Sequence, residues 1–157
     1  ILTPHIGEMS RLNKTMISDI QDALMETAYE YAKETGTVCV LKDACTVTAG
    51  PSGETYLNLS GNAGLATAGS GDVLSGVLAG VLCMYLSAEK KIPPVQLAAL
   101  GVFVHGLAGD RAAEVCGKRG NYYAGTYYKE KCNNTACYNV SAEKKGKTCK
   151  GFSKKSN

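Results

Sequence analysis

Short β-branched runs alternate with amphipathic helical stretches through residues 1–116, so the sequence predicts an α/β layered domain. Three observations carry this. Thr37-Val-Cys-Val-Leu41 has the composition of a buried strand. Ahead of it, Ile20, Leu24, Ala28 and Tyr31 recur at helical spacing. Behind it, a glycine-rich loop feeds an apolar, helix-competent run. A length of 157 residues suits one domain or part of one, and 45% hydrophobic against 20% charged residues suits a packed core.

Taken in order, Ile1-Leu2 reads as the last residues of a strand, with Thr3-Pro4-His5 leading to a loop. Glu8 to Leu12 is a short helix. Ser18-Asp-Ile-Gln21 has the S-x-x-Q form of a capping box and starts a helix that Gly36 stops. Thr46-Val-Thr48 and Thr55-Tyr-Leu57 flank Gly50-Pro-Ser-Gly53 and form a hairpin. A helix from about Asp72 to Leu86 follows. Gly76 and Gly80 share one of its faces and are expected to serve close packing. Pro93-Pro94 opens a long helix to about Cys116, closed by Gly117.

The net charge of +3 is unevenly spread. Residues 1–120 hold 9 Lys+Arg and 12 Asp+Glu, whereas residues 121–157 hold 8 Lys and 2 Glu. The basic character thus belongs to a divergent tail, which is expected to be weakly ordered, and the body shows no nucleic-acid footprint. The longest apolar segment, Val73 to Leu86, is interrupted by Ser75 and too short to span a bilayer, so no membrane partner is expected. No basic stretch followed by an apolar run marks a signal peptide. Cys39, Cys45, Cys83 and Cys116 sit in apolar settings and read as buried free thiols of a reducing, cytoplasmic compartment. Cys132, Cys137 and Cys149 lack a zinc spacing, and no metal ligands are assigned.

The chemistry concentrates in residues 61–80, where six of twenty residues are glycine. A loop of small residues runs into Gly69-Ser-Gly71 and then Asp72, at the start of a helix. Glycines let backbone N–H groups converge on a phosphate, and the helix start adds unpaired N–H groups and a positive dipole end. A carboxylate there would repel phosphate unless it has a use. Taking a proton from a hydroxyl that is about to receive a phosphoryl group is such a use. Walker A is excluded because its Lys is missing, and the Rossmann fingerprint because Leu74 stands where its third Gly belongs. His5 follows a strand end, where open α/β sheets bind ligands, and can donate to an anionic or amide-bearing ligand. Lys42-Asp-Ala-Cys-Thr46 also leaves a strand, with Lys42 a point charge for phosphate and Thr46 a hydroxyl. His105 reads as a packing residue of the last helix, and Asp110-Arg111 as a helix-surface pair.

Four blocks together carry a resemblance. They are Leu2-Thr-Pro-His5-x-Gly7-Glu8, Val40-Leu-Lys42-x-Ala-x-Thr46, Gly61-Asn-x-Gly64-x-Ala66-Thr-x-Gly69-x-Gly71-Asp72-x-Leu74-x-Gly76, and His105-Gly-x-Ala-Gly-Asp110. In this order they resemble the carbohydrate-kinase-related dehydratases that repair hydrated NADH and NADPH, over roughly residues 1–120. The resemblance implies a ribokinase-like three-layer α/β/α fold and a lyase dependent on ADP or ATP with Mg²⁺. Such an enzyme phosphorylates the 6-hydroxyl of NAD(P)H hydrate and eliminates phosphate. It implies Asp72 as the catalytic base, and His5 and Asp72 as contacts of the hydrated dinucleotide. It places ADP against Lys42, Asp43, Ala44, Cys45, Thr46, Gly69 and Gly71. A homo-oligomer and a fused N-terminal epimerase domain in the parent protein are compatible with it.

Two departures qualify the match. Family members carry a further strand-and-helix half before the Thr-Pro-His block, so the chain is expected to be the C-terminal part of such a domain. Thr126 stands where the family's closing helix has Asp, and from about Asn121 the resemblance is not carried over. Two other readings of the same residues stay open. One is a ribokinase-like kinase of a vitamin precursor, and the other is an inactive nucleotide-binding remnant.

Overall fold

A computed structural model describes residues 1–86 and 92–116 of the chain. The basic tail from residue 121, the stop at Gly117, the side chain of Cys116, and Cys132, Cys137 and Cys149 lie outside the described residues. The elements run α1 (Ile6–Asn13), α2 (Ile17–Asp22), α3 (Leu24–Thr35), β1 (Cys39–Leu41), β2 (Thr46–Ala49), β3 (Thr55–Asn58), α4 (Ser70–Leu86) and α5 (Pro94–Cys116). A single 3₁₀ turn, Ala63–Leu65, interrupts the glycine-rich loop.

The three strands form an antiparallel sheet in the order β1-β2-β3. Val40 pairs with Thr48, and Thr48 in turn with Tyr56. The expected hairpin turn is present, with the Gly50 N–H donating to the Glu54 carbonyl at 2.8 Å. The expected strand end at Ile1-Leu2 is also there. Leu2 bridges Cys39 and His5 bridges Lys42, both parallel, so the opening segment runs alongside β1. Leu2 N–H donates to the Val38 carbonyl and Lys42 N–H to the Pro4 carbonyl, at 2.8 and 2.9 Å.

The period-two alternation of the strands builds the layers. Cys39 and Leu41, with Val47 and Ala49, face Met9, Ile20, Ala28 and Ala32 of α1–α3. Val38 and Val40 face Leu74 and Leu78 of α4 and Val95, Ala98 and Val102 of α5. Helices thus cover both faces of the sheet, giving the three-layer α/β/α arrangement. Among the described residues, no helix is long and apolar enough to cross a membrane.

Several local expectations need correction. The helix expected from Ser18 to Gly36 is broken at Ala23, whose backbone leaves helical geometry at φ −127° and ψ 42°. Ile20 and Ala28 would lie roughly 80° apart on one continuous helix. The break lets both reach the same core. The capping box expected at Ser18 is not formed: Met16 is the N-cap and offers no side-chain bond. A box forms instead at α1, where His5 Nδ1 accepts the Glu8 N–H and Glu8 accepts the His5 N–H.

Gly76 and Gly80 meet no packing partner among the described residues, none of which lies within 4 Å of a Cβ placed on either. The buried stripe of α4 is Leu74 and Leu78, on the other side of the helix. Its close approach to α5 is made at Gly101, where a Cβ would lie 2.8 Å from Leu78 Cδ2. Of the three described thiols read as buried, Cys39 is buried and the other two are exposed. Cys45 sits in the exposed β1–β2 connection and Cys83 on the open side of α4. Burial pushes the Cys39 thiol up to about 12.

Candidate functional site

The parallel pairing of the opening segment with β1 sets His5 beside Lys42 at one end of the sheet. His5 is fixed twice over as the cap of α1. With Nδ1 accepting the Glu8 N–H at 3.2 Å, its remaining ring nitrogen, Nε2, is the one that can donate. Nε2 lies 3.5 Å from Glu8 Oε1. The His5 N–H holds the Glu8 carboxyl below its ordinary range, against desolvation, and the charge of Lys42 adds to the effect.

Lys42 turns toward the glycine loop. Its Nζ lies 3.4 Å from the position a Cβ on Gly71 would take. Gly69 has φ +87°, a conformation that L side chains rarely adopt, and this bends the loop into the first turn of α4. Ser70 N–H donates to the Thr67 carbonyl and Val73 N–H to the Gly69 carbonyl. The N–H groups of Gly71 and Asp72 have no acceptor among the described residues. An ammonium and two open N–H groups therefore meet at one helix start, which is the requirement for holding an anion. The Asp72 side chain is exposed in the same turn.

Chain segments far apart in sequence, His5, Lys42 and Gly69–Asp72, are thus assembled on one side of the fold. Asp43, Ala44 and Cys45 are exposed in the connection that follows Lys42, and Thr46 is half-buried at the start of β2. Asp43 accepts a long 3.4 Å bond from Gln21 Nε2.

Two residues read from sequence as packing or surface groups reach this loop. His105 is buried, but its Nε2 lies 3.5 Å from Ser70 Oγ. Asp110 accepts from Gly61 N–H and Asn62 Nδ2. Its neighbour Arg111 pairs with Glu114 at 2.7 Å. The overlooked signal was Gly106 with Gly109, since glycine inside a helix costs about 1 kcal/mol against Ala and marks close approach.

Burial lowers the His105 pKa below 6.5, with hydrogen bonding at Ser70 opposing the shift. Between the folded and unfolded values the unfolded chain binds more protons, so this contribution to stability is intact above about pH 6.5 and is lost as pH falls through the folded value. The melting temperature should fall on acidification below about 6.5, and His105→Gln should flatten that slope in thermal scans. An unchanged slope would remove His105 as the titrating group.

Residues 1–132 match the family model described as NAD(P)H-hydrate dehydratase. A bifunctional NAD(P)H-hydrate repair enzyme Nnr of Moorella thermoacetica is 49% identical over 119 residues, which are 76% of this chain and 21% of that protein. The Bacillus subtilis ADP/ATP-dependent NAD(P)H-hydrate dehydratase, co-crystallised with ATP/Mg²⁺, is similar in structure with TM-score 0.64 and 31% identity. That similarity covers 82% of this chain and 47% of that one. A ribokinase-like superfamily protein of Enterococcus faecalis V583 gives TM-score 0.58 and 30% identity over 82% of this chain and 44% of its own. The chain thus spans about a fifth of the Moorella protein and just under half of the two solved chains.

Proposed function

The chain belongs to the NAD(P)H-hydrate dehydratase family, and from that membership we propose that it acts in restoring NADH or NADPH from their 6-hydroxy hydrates at the expense of ADP or ATP. The observation that carries the reading is the convergence of Lys42 on Gly71 at the open first turn of α4, one residue from Asp72.

The residues fit the phosphates of a nucleotide. Gly71 leaves free the space beside Lys42 Nζ that a side chain would fill. When bound, the nucleotide supplies the phosphoryl group. Lys42 offsets phosphate charge as a point cation, and the backbone of Gly69–Gly71 seats it. In this proposal Asp43, Ala44, Cys45 and Thr46, which follow Lys42 in the chain, contact the nucleotide as well. Asp72 takes the proton from the substrate hydroxyl, and His5 donates to the dinucleotide through Nε2. Converting the hydroxyl to a phosphate ester makes a far better leaving group, which is the reason to spend a nucleotide on a dehydration. Among the described residues, no three His, Cys, Asp or Glu side chains converge on a metal-sized site. No step is therefore derived through Mg²⁺, which in this proposal accompanies the nucleotide.

In the same proposal residues 1–120 carry the site and 121–157 are an appended basic tail. The Moorella relative is a bifunctional enzyme, which supports a second unit in the parent protein, and the family resemblance makes that unit an epimerase. A cytoplasmic location and a homo-oligomer complete it, the location supported by the free thiols Cys39, Cys45 and Cys83.

Incubation with ADP and hydrated NADH should yield NADH, AMP and inorganic phosphate by mass spectrometry. ADP should also shield the exposed Cys45 from alkylation. A stable phosphorylated product from a vitamin precursor, with none from the hydrate, would make the chain a kinase instead. Cys45 shielding without turnover would leave a nucleotide-binding remnant.

A further inference from the structure

Helix α5 grips the glycine loop at both ends. Asp110 Oδ2 accepts the Gly61 N–H at 2.8 Å, and its Oδ1 accepts Asn62 Nδ2 at 3.0 Å. Asn62 passes the contact on, its Oδ1 accepting the Gly64 N–H at 3.0 Å and so capping the 3₁₀ turn. One turn back along α5, Gly106 admits the Ser60 backbone, and Ser60 Oγ donates to the Phe103 carbonyl at 3.1 Å. Gly109 admits Leu65, to which a Cβ would come within 2.7 Å. At the far end of the loop stands His105, beside Ser70.

Between these anchors the loop's own bonds are local, Leu65 N–H to the Asn62 carbonyl and Ala66 N–H to the Ala63 carbonyl, and they shape the turn without tying it to the body. Ala63, Ala66 and Ala68 are exposed, and small side chains contribute little packing. Its position is therefore set by Leu65 against α5 and by hydrogen bonds from outside, of which a carboxylate accepting from a backbone N–H and an amide is the strongest. The two bonds span 49 and 48 residues of sequence, so they tie the loop to the body rather than to itself.

We propose that Asp110 is a positioning residue that sets the glycine loop, and through it the open first turn of α4, for phosphoryl transfer. This rests on the function proposed above and adds the residue that aligns its centre. Asp110 touches neither nucleotide nor hydrate in this scheme. It acts through Gly61 and Asn62, and a misplacement of about 1 Å at a reacting centre can cost a hundredfold in rate.

The test uses the full 157-residue chain. Asp110→Ala should lower kcat about 10- to 100-fold and weaken ADP binding, measured calorimetrically, about tenfold. Asp110→Asn keeps an acceptor for Gly61 but sets an amide against an amide at Asn62, and should fall between. The double variant Asn62→Asp with Asp110→Asn exchanges the pair and restores both bonds. It should recover to within a few-fold of wild type, a rescue that general destabilisation would not give. Unchanged kcat and ADP affinity in Asp110→Ala, or a double variant no better than Asp110→Asn, would overturn the proposal. If the wild-type chain binds ADP without turning over hydrate, the dehydratase reading fails, and the pin is judged on ADP affinity by the same comparison. A wild-type chain that does not bind ADP overturns both.

Discussion

Asp72→Asn should lower turnover of hydrated NADH by about 10²- to 10⁴-fold, the range that a positioned general base supplies. The substitution is nearly isosteric, and the side chain is exposed in the first turn of α4, so the fold has little reason to respond. Asparagine cannot accept the hydroxyl proton. Nucleotide affinity should hold steady or rise, because a carboxylate next to an anion cradle repels phosphate. The diagnostic pattern is therefore a large fall in kcat with an unchanged or lower dissociation constant for ADP. Single-turnover kinetics with calorimetry measures both. Full turnover in Asp72→Asn would remove the base assignment, and a parallel loss of kcat and ADP binding would make Asp72 a structural cap.

The second large effect is expected at Gly106. A Cβ there would lie 2.7 Å from the Ser60 carbonyl oxygen and 2.8 Å from its carbon. Both are backbone atoms, so no side-chain rotation relieves the clash. Gly106→Ala gains helix propensity of about 1 kcal/mol. Overpacking against a fixed wall costs about 1–3 kcal/mol, so the net should be destabilising. Ser60 must also move, and Gly61 with it, so turnover should fall well beyond the loss of stability. Gly76→Ala is the counterpart. No described residue lies within 4 Å of its Cβ position, its backbone has no positive φ, and it is exposed on α4. That substitution should stabilise by about 0.5–1 kcal/mol. Urea unfolding of the two variants should give shifts of opposite sign. Equal shifts would mean that α5 does not press on the loop.

This contrast also marks what the sequence could and could not reveal. Gly76 with Gly80 reads as a packing pair on one helix face, and Gly106 with Gly109 stands equally inside a helix. Among the described residues, only the second pair meets a neighbour, and that neighbour, the loop at Ser60–Leu65, is more than forty residues away in the chain. The strands were legible because β-branched residues alternate between two buried faces, and Gly36 was legible as a helix stop. The box at α1 was missed because its N-cap is a histidine, accepting through Nδ1, where Ser or Thr is the usual signal. Asp72, Lys42 and the glycine loop stand out in the sequence by residue type and order, and the proposed chemistry rests on them. Asp110 did not, since on its own helix it looks like half of a surface ion pair with Arg111. Its partners appear only when the loop folds back onto α5.

The parallel pairing of His5 with Lys42 carries a thermodynamic consequence. One wall of the proposed anion site is made by two strand ends 37 residues apart, and the glycine loop is held from 49 residues away. No contiguous stretch of the chain can assemble this site before the sheet and α5 are in place. A phosphate-bearing ligand bound there would draw on the folding equilibrium of the whole layered body. At a hundred times its dissociation constant it would add about 2.7 kcal/mol to global stability, and every amide of the core would share in that protection against exchange.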